Sequence, residues 1–583
     1  MIRIKIINCE QDRNSMKNQL VAAILNQVAD LMEIDEVDFR TKAYRRAAHT
    51  VETLSEDIED IKKKERLQEL PGIGEKIAGK ITEIVETGSL EYLDNLKKQF
   101  PVDYDALMAV EGLGPRSIKQ LYNELGIKNL DDLEKNAKRH KIRRLKGMGK
   151  ITERKILINL NFARKSTGRK LLGHILPVAQ KIKEDLENYK PVLRVEIAGS
   201  IRRRKETVGD IDILVTTKSP LEVSAYFTTM DLVDDVVVSG PTKSTVRLKE
   251  SGIDVDLRVF ADESFGSALM YFTGSKETNV ELRRIAIAKG LKLSEYGVFK
   301  GDKILAGRTE NEVFQSLGMK YIEPELRENT GEIEAAIADK LPKLIKNNEI
   351  LGDLQMHTEW SDGTAKISDM ALEAQEIGYE YIAITDHTGS LRIANGMDEN
   401  TILKQTDEIE NLNNKMDGFT ILKGIETNID SYGFLDVPDK ILDEMDLVIA
   451  GIHSGFKQDK GEITRRIISA MENDYVNIIA HPTGRKIQER KAYELELDKI
   501  FESSVDNGTF LEVNGQINRL DLSDTNVKIA LEKGCKLIIN TDAHSIMDLR
   551  NIKLGVATAR RGWAKKEDII NTMPLKMLMK ELK

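Results

Sequence analysis

The second half of the chain places a potential metal ligand at the end of almost every apolar segment that could form a strand. Seven such segments occur between residues 350 and 544, and six of them end in histidine, aspartate or glutamate. Five of the eight histidines lie at these ends. A parallel barrel gathers the carboxyl ends of its strands on one face. The pattern therefore predicts a barrel with a multinuclear metal centre, whereas an isolated histidine would more often be a core or surface residue.

The rest of the composition narrows the class of protein. A chain of 583 residues is too long for one ordinary core, so several domains are expected. No apolar run approaches the roughly 20 residues that span a bilayer, and a charged N-terminus leaves no signal-peptide core. Cys9 and Cys535 exclude a disulfide framework. We expect a cytoplasmic protein with no membrane segment. Residues 1–13 fit no element, and both a disordered extension and a misassigned start remain open.

The net charge of −9 is unevenly distributed. Residues 341–583 hold 30 basic and 41 acidic side chains, whereas the first 340 residues hold 57 and 55. The whole-chain value argues against nucleic-acid binding, but the two parts carry −11 and +2. An almost neutral first part with local basic clusters remains compatible with binding DNA at phosphate-rich ends.

A short repeat occurs three times in the first 151 residues, at 70–78, 110–118 and 145–151. Each copy has glycine, an apolar residue and glycine between two helical stretches, and the following helix N-terminus can bind a phosphate. The pattern is typical of helix-hairpin-helix motifs that grip a DNA backbone without reading sequence. Plain helix-ending turns are the alternative. The predicted backbone contacts are Gly72, Gly74, Gly112, Gly114, Gly147 and Gly149, with Arg116 beside the second copy.

Carboxylates cluster on two apolar strands in the middle of the chain. Asp210 and Asp212 are two residues apart on one strand, so both face the same side, and Asp256 lies on a second strand. Such a group could hold two Mg²⁺ ions, activate a 3′-hydroxyl and neutralise a transferring phosphate. Ser200, Arg203 and the Gly209 N–H are placed to bind a triphosphate. The alternative is a pair of surface aspartates at a strand end.

Two short motifs resemble the palm of family X DNA polymerases, the relatives of DNA polymerase β. They are Gly-Ser-x-Arg-Arg at 199–203 and Gly-Asp-Ile-Asp at 209–212. The resemblance implies that Asp210, Asp212 and Asp256 are catalytic and bind Mg²⁺ or Mn²⁺, with Asp254 as a spare carboxylate. Lys276 and Val280 depart from the family pattern. It further implies nucleotide contacts by Gly199, Ser200, Arg203, Gly209, Tyr271, Phe272, Gly274 and Asn279, and DNA contacts by Arg258 and Arg283.

The first hairpin resembles the small lyase domain of the same family. Lys76 and Lys80 share one helix face, and the resemblance implies that Lys76 contacts DNA. The resemblance implies a Schiff base between Lys80 and a 5′-deoxyribose phosphate, with Arg40 and Tyr44 as further 5′-phosphate contacts. A partly desolvated lysine near other cations is a suitable amine nucleophile. Simple phosphate binding by Lys80 is the alternative.

The strand-end motifs resemble the polymerase-and-histidinol-phosphatase (PHP) domain, a distorted seven-stranded barrel with up to three Zn²⁺ or Mn²⁺ ions. One departure is Gln355, a weaker ligand where the family often has histidine. The family implies 3′→5′ exonuclease, abasic-site endonuclease or 3′-phosphatase activity. By resemblance, His357, Glu426 and Asp542 hold one ion, Glu426 bridges to a second ion held by His453 and His481, and Asp362, His387 and His544 hold a third.

The expected fold is multidomain α and α/β. It comprises a helical 8-kDa-like domain with a hairpin (1–92), a fingers domain with two hairpins (93–168), a nucleotidyltransferase palm (169–262), a thumb (263–330), a linker (331–349) and a (β/α)₇ PHP barrel (350–583). The expected function is gap filling with dNTPs in base excision repair, acting as a monomer on gapped or nicked DNA, with repair proteins as further partners. A template-independent nucleotidyltransferase and a DNA-end scaffold with degenerate sites are the alternatives.

Overall fold

The computed structural model describes residues 18–582 apart from 19, 20, 23, 30, 33–37, 53, 55–57, 100, 109, 111, 112, 167, 168, 390, 392 and 393. The chain divides into two compact units, Met1–Gly168 with Gly363–Ala365 and Gln488–Arg490, and the rest of the chain. Residues 1–13 and Gly112 lie outside the described part, as does the side chain of Arg40. Within that part, no helix has the length and apolar character needed to cross a membrane.

The first unit is helical. Apolar residues at helix spacing build one core that includes Leu25, Ile81, Leu121 and Ile156. Its α-helices are Asp38–Glu52, Ile58–Lys63, Glu75–Thr87, Glu91–Gln99, Tyr104–Met108, Pro115–Leu125, Leu130–Lys138 and Lys150–Ser166, with 3-10 turns at Leu67–Glu69 and Ile142–Arg144. These helices are consistent with the predicted helical domains.

The hairpin turns have the backbone that the glycine repeat predicts. Gly72 and Gly147 have φ of 78° and 81°, a conformation that side-chain-bearing residues rarely adopt. Gly74 and Gly114 are the N-caps of helices Glu75–Thr87 and Pro115–Leu125. An added Cβ at Gly74, Gly114 or Gly149 would have no neighbour within 4 Å, so a phosphate could approach the backbone there.

The second unit begins with the palm, a five-stranded sheet of order β2-β4-β7-β6-β5. Val195, Ile213, Val215 and Val255 build its core with the helix that precedes β2. The elements are β1 (Lys170–Leu171), helix Leu172–Glu187, β2 (Val192–Ile197), helix Gly199–Arg202, β3 (Thr207–Val208), β4 (Asp210–Thr217), helix Pro220–Thr228, β5 (Val233–Val238), β6 (Lys243–Leu248) and β7 (Asp254–Phe260).

The thumb follows the palm and has a small antiparallel sheet of order β10-β9-β8 beside several helices. Leu282, Val298, Phe314 and Leu317 are fully buried in its core. Its elements are helices Phe265–Thr273 and Lys276–Ala288, β8 (Lys292–Ser294), β9 (Gly297–Lys300), β10 (Lys303–Ala306), helix Glu310–Ser316 and a 3-10 turn at Pro324–Leu326.

The predicted linker, 331–349, is part of the second unit and packs within it. It contains helix Glu332–Ile337 and a 3-10 turn at Asn347–Glu349. Leu344 and Ile345 are buried, and the Ile345 N–H donates to the carbonyl of Ala564 at 3.0 Å. This stretch therefore fixes the thumb to the barrel, and the exact domain limits remain predictions.

The barrel is a parallel sheet of seven strands in chain order. A bridge between Met356 and Ala543 joins its first and last strand ends and nearly closes it. The strands are β11 (Gly352–Asp353), β12 (Tyr381–Ile384), β13 (Thr420–Asn428), β14 (Leu447–Gly451), β15 (Ile478–Ile479), β16 (Phe510–Asn514) and β17 (Leu537–Asn540). The α-helices are Ile367–Ile377, Glu399–Asn413, Asp439–Leu442, Lys460–Met471, Leu497–Asn507, Asp524–Glu532, Ile552–Arg561 and Leu575–Glu581, with 3-10 turns at Ile546–Asn551, Lys566–Asp568 and Ile570–Thr572. The predicted seven-stranded barrel is confirmed.

The palm packs directly against the barrel. Leu520 and Leu554 of the barrel belong to the same buried cluster as the palm core. At Gly173, an added Cβ would lie 2.7 Å from Ile517, so the palm helix Leu172–Glu187 approaches the barrel too closely for a side chain. Palm, thumb and barrel therefore belong to one compact unit.

Candidate functional site

The palm carboxylates lie on two adjacent parallel strands. In the register of β4 and β7, Asp210 is opposite Asp254 and Asp212 is opposite Asp256. Burial, and then the charge of Asp256, raise the pKa of Asp210. Burial and the two neighbours Asp210 and Asp256 raise the pKa of Asp212 to about 7. Crowded, under-neutralised carboxylates of this kind fit divalent cations, which would offset their mutual repulsion.

Asp254 differs from its neighbours, as expected of a spare carboxylate. Its carboxylate pairs with the Arg247 guanidinium, with Nε 2.9 Å from Oδ1, and its side chain is 41% exposed. Asp256 is 16% exposed and lies 2.8 Å from Lys243 Nζ and 3.2 Å from Arg258 Nη2. The structure therefore distinguishes the two carboxylates, which the sequence pattern alone places on the same face.

The raised pKa of Asp212 predicts a pH-dependent stability in protein freed of divalent cations. A carboxyl whose pKa rises from 3.8 to about 7 on folding holds its proton more tightly when folded. The free energy of unfolding therefore falls as the pH rises through that window. Asp212→Asn removes this loss and should stabilise the EDTA-treated protein at pH 8 by up to about 4 kcal/mol, but hardly at pH 4. Thermal unfolding of both proteins at the two pH values measures it, and an equal difference at both would contradict it.

The triphosphate residues predicted from sequence lie in the segment that joins β2 to β4, and residues 199–203 of this segment form the predicted phosphate-binding turn. Gly199 has φ of 64°, and an added Cβ would lie 2.4 Å from Asp212 Oδ2, so only glycine fits beside that carboxylate. Ser200 lies in the short helix Gly199–Arg202. The Arg203 guanidinium donates to Glu328 Oε1 at 3.0 Å and to the carbonyl of Thr273. Gly209 directly precedes Asp210, and an added Cβ there would lie 3.3 Å from Arg169 Nη1.

Arg202, one residue earlier, is structural. Its guanidinium forms a two-pronged pair with Glu310, at 2.8 and 2.6 Å, and Arg327 binds the same carboxylate at 2.6 Å. Burial opposes the charge of Glu310, but Arg327 and Arg202 outweigh it and hold the pKa of Glu310 at about 2. The cluster fixes the thumb to the palm beside the predicted phosphate-binding turn.

The predicted nucleotide contacts Tyr271, Phe272 and Gly274 lie at the end of helix Phe265–Thr273, where Gly274 is the C-cap. The Asn279 amide donates to the carbonyl of Tyr271 at 2.7 Å, and the Asn279 carbonyl accepts from Arg283 Nε at 3.2 Å. The Arg258 guanidinium stacks on the Phe272 ring, 4.5 Å from its centroid. Asn279 and Arg283 are therefore coupled to this helix end. Asn279 Oδ1 is buried and has no hydrogen-bond partner in the described part of the chain, so it is available to a ligand.

In the first unit, Lys76 and Lys80 lie on helix Glu75–Thr87, as predicted. Lys76 is exposed, and Lys80 is partly buried with Nζ 4.1 Å from the centroid of the Tyr92 ring. Tyr44 is 8% exposed, so most of its ring belongs to the core. The sequence did not identify Tyr92 as a neighbour of Lys80 because the two are twelve residues apart on different helices.

The barrel ligands converge on Glu426 in β13. Its Oε1 lies 3.0 Å from His453 Nε2 and 3.3 Å from His481 Nε2. Its Oε2 lies 3.3 Å from His357 Nε2 and 3.4 Å from His387 Nδ1. One carboxylate thus touches four imidazoles, and this arrangement suits a ligand that bridges metal ions.

The remaining ligands complete three groups with metal-binding spacing. These groups are His357 with Glu426 and Asp542, His387 with Glu426 and His453, and His357 with Asp362, His387 and His544. The first group matches the set that the resemblance implies, and the third matches with His357 added. In the second group His387 takes the place expected for His481, although His481 also contacts Glu426.

The donor set fits metal ions on two grounds. In the portion of the chain described, the contacts of 3.0–3.4 Å around Glu426 lack hydrogen-bond geometry, so the carboxylate oxygens of Glu426 and the ring nitrogens of His357 and His453 are buried close together without a hydrogen bond. Unpartnered buried polar atoms are costly, and a bound cation satisfies them. Burial also lowers the pKa of His387 to about 3, so its imidazole is neutral and can act as a ligand.

Gln355, the departure from the family pattern, is fully buried at the same strand end. Its side-chain oxygen and nitrogen have no hydrogen-bond partner among the residues described here. The amide therefore has an acceptor available for a cation, and the position is compatible with a neutral, weak ligand.

Sequence reasoning missed a layer of residues behind the ligands. Glu512 is buried and accepts from the His481 N–H at 2.7 Å, and Asn514 donates to Asp542 Oδ2 at 3.1 Å. Arg519 Nε lies 3.5 Å from the same oxygen. The polar residues within the apolar run 511–514 were the available signal, because such residues at a strand end face the site.

A palm with three carboxylates, a thumb and a metal-binding barrel define a nucleotidyltransferase of the DNA polymerase β type fused to a PHP domain. Family models match each part: "DNA polymerase beta palm" at 175–251, "DNA polymerase beta thumb" at 268–328 and "PHP domain" at 353–516. "Helix-hairpin-helix domain" matches 16–90, and "SAM-like Helix-hairpin-helix tandem" matches 104–161.

Similar proteins support the same assignment. The DNA polymerase/3′-5′ exonuclease PolX of Bacillus subtilis is 38% identical over 96% of this chain and 98% of its own length. DNA polymerase lambda of Rattus norvegicus is 29% identical over 44% of this chain and 48% of its own length. A probable phosphatase of Thermoanaerobacter sp. is 31% identical over 35% of this chain and 83% of its own length. The chain belongs to the family X DNA polymerases that carry a PHP domain.

Proposed function

We propose that this polymerase fills short gaps in DNA during base excision repair and that its barrel trims 3′ ends before or between additions. The register of β4 and β7, which brings Asp210, Asp212 and Asp256 together beside the phosphate-binding turn, carries the first part. Mg²⁺ or Mn²⁺ would be held by these three carboxylates, and the cations supply charge neutralisation for the transferring phosphate.

In the palm, the residues of this chain are proposed to bind and orient the incoming nucleotide and the DNA. Ser200, Arg203 and the Gly209 N–H are the proposed contacts to the triphosphate. Tyr271 and Phe272 are the proposed contacts to the sugar, and the Asn279 oxygen is the proposed contact to the base. Arg283 and Arg258 would face DNA.

The barrel is proposed to cleave phosphoesters at 3′ ends. Zn²⁺ or Mn²⁺, up to three ions, would be held by the ligands around Glu426 and would supply activation of water. The B. subtilis relative is named as a 3′-5′ exonuclease, and the Thermoanaerobacter relative is named as a probable phosphatase. We favour trimming because a polymerase in the same body requires a clean 3′-hydroxyl.

Template dependence tests the main proposal. A one-nucleotide gap with each of the four template bases should direct addition of the complementary dNTP, whereas a terminal transferase would extend single strands without preference. The hairpins of the first unit favour duplex binding over that second candidate. Addition that ignores the template base would overturn the gap-filling assignment.

We propose further that Lys80 is the nucleophile of a 5′-deoxyribose phosphate lyase. Its position on the face of helix Glu75–Thr87, against Tyr92, supports this role. Borohydride trapping on incised abasic DNA should fall by on the order of 10²-fold or more in Lys80→Ala. Lys76→Ala, on the same helix, is the matched control and should still be trapped. Undiminished trapping in Lys80→Ala would leave Lys80 as a phosphate contact alone.

The proposed substrate is gapped or nicked DNA together with dNTPs, bound by a monomer in the cytoplasm. The near-neutral charge of the first 340 residues supports modest, salt-sensitive affinity for intact duplex. Recognition would then depend on the phosphates at the gap, and base excision repair proteins are the proposed partners.

A further inference from the structure

An arginine of the barrel reaches the phosphate-binding turn of the palm. Arg561 ends helix Ile552–Arg561, and its side chain is only 5% exposed. Its Nη1 donates to the backbone carbonyl of Arg203 at 2.7 Å. The same Nη1 lies 3.1 Å from Glu328 Oε1, and Nε and Nη2 bind Asp524 at 2.8 and 2.6 Å. Asp524 thus orients Arg561 from within the barrel.

Glu328 connects this arginine to the Arg203 side chain. The oxygen that contacts Arg561 also accepts from Arg203 Nε at 3.0 Å. Arg203 Nη1 donates to the Thr273 carbonyl, and an added Cβ at Gly274 would lie 2.9 Å from that nitrogen. Arg203 is therefore held from the thumb side by Thr273 and Glu328, and from the barrel side by Arg561.

We infer that Arg561 is a positioning residue for nucleotide binding: through Glu328 and the Arg203 carbonyl, the barrel holds Arg203 in the orientation that meets the triphosphate. The inference rests on the proposed role of Arg203. It adds that the polymerase site is completed by the barrel, whose metal centre serves a different reaction.

The positive charge of Arg561 accounts for its proposed effect on triphosphate binding by Arg203. The cluster of Arg203, Lys205, Arg561, Glu328 and Asp524 carries a net charge of +1. With Arg561 present, the negative charge of Glu328 is shared between two guanidinium groups. Glu328 then neutralises Arg203 only in part, and Arg203 can still attract a phosphate. Without Arg561 the cluster becomes neutral, and Glu328 competes directly with the triphosphate for Arg203.

A second barrel arginine binds the same segment of the palm. Arg485 Nη2 lies 2.8 Å from Glu206 Oε2, three residues after Arg203. The segment 203–206 leads from the phosphate-binding turn to β3 and then to Asp210. Because the barrel binds both ends of this segment, it sets the position of the turn relative to the first catalytic carboxylate.

The test is steady-state single-nucleotide gap filling with the full chain and Mg²⁺. We expect Arg561→Ala to raise the KM for dNTP about tenfold, equivalent to ~1.4 kcal/mol, with little change in kcat or in manganese-dependent 3′ resection. Arg560→Ala is the matched control. Arg560 is the preceding residue and binds Glu325 and the Ile345 carbonyl without contacting Arg203, so its KM should stay near that of the wild type.

A double variant separates positioning from general loss of structure. If Arg561 acts through Arg203, the KM of Arg203→Ala/Arg561→Ala should equal that of Arg203→Ala. Arg561→Lys, which retains the charge but loses the fork of donors, should give an intermediate KM and serves if the alanine variant fails to fold. An unchanged KM in folded Arg561→Ala, or equal rises in Arg561→Ala and Arg560→Ala, would overturn the inference. An unchanged KM in Arg203→Ala would instead overturn the proposed role of Arg203.

Discussion

Asp256→Asn is expected to reduce templated nucleotide addition by on the order of 10³-fold or more, while 3′ resection by the barrel continues at its normal rate. The asparagine keeps the shape of the side chain but removes the charge needed to hold a cation between β4 and β7. Asp256 lies directly opposite Asp212 in the register, so one substitution disrupts the whole carboxylate group. Primer extension on a gapped duplex at saturating dNTP measures the effect.

Asp254→Asn is the matched control for that experiment. Asp254 lies on the same strand and is two residues away, but its carboxylate is paired with Arg247 at the surface. An exposed ion pair contributes at most about 1 kcal/mol, so this variant should retain addition close to the wild-type rate. Equal loss in both variants would show that the two carboxylates had been assigned wrongly. Retained synthesis in Asp256→Asn would refute the palm assignment.

Much of the palm could be predicted from its sequence because the apolar pattern is strong. Residues 194–197, 210–216 and 246–248 lie on strands, and each of these segments contains β-branched or other apolar residues. The edge strand Val233–Val238 lacks a comparable pattern, because Asp234 and Asp235 interrupt it and three of its valines are 43–48% exposed. An edge strand has only one strand neighbour, so its residues are less constrained to be apolar.

The barrel site could also be predicted from a regular sequence pattern, the repeated placement of ligands at the ends of apolar strands. Every ligand lies near the carboxyl end of an apolar strand or in the loop after it, and parallel strands place these ends together whatever the helices between them do. Distances between ligands are set by barrel closure, so the sequence could not decide whether His387 or His481 groups with His453. Glu512 and Asn514 were visible as polar residues in an apolar run, but nothing local showed that they lie behind the ligands.

Contacts between domains were the least predictable part. Arg203 was identified from its motif, yet its bond to Glu328 spans 125 residues and the Arg561 bond to its carbonyl spans 358. Arg561 follows Arg560 in an amphipathic helix, where arginines commonly face solvent. The carboxylates that neutralise Arg561 come from two distant segments, and only the tertiary fold brings them together.

The 3′ resection activity of the barrel should depend on Glu426 as strongly as nucleotide addition by the palm depends on Asp256. Glu426→Gln keeps the volume of the side chain but removes the charge shared by four imidazoles at 3.0–3.4 Å. We expect 3′ resection to fall by on the order of 10²–10³-fold and the bound metal to fall with it. Elemental analysis of the purified protein and resection of a labelled 3′ end measure the two effects.

Gap filling should be retained in Glu426→Gln, because the palm carboxylates are independent of the barrel ligands. Asp498→Asn is the control within the barrel: this carboxylate is 76% exposed, pairs with Lys533 and should affect neither activity. His453→Ala removes a ligand without removing charge and should also abolish resection. If resection continues in both Glu426→Gln and His453→Ala, the nuclease site lies elsewhere in the chain. If the metal content falls while resection is unchanged, the ions have a structural role and the barrel supplies stability to the palm rather than a second reaction.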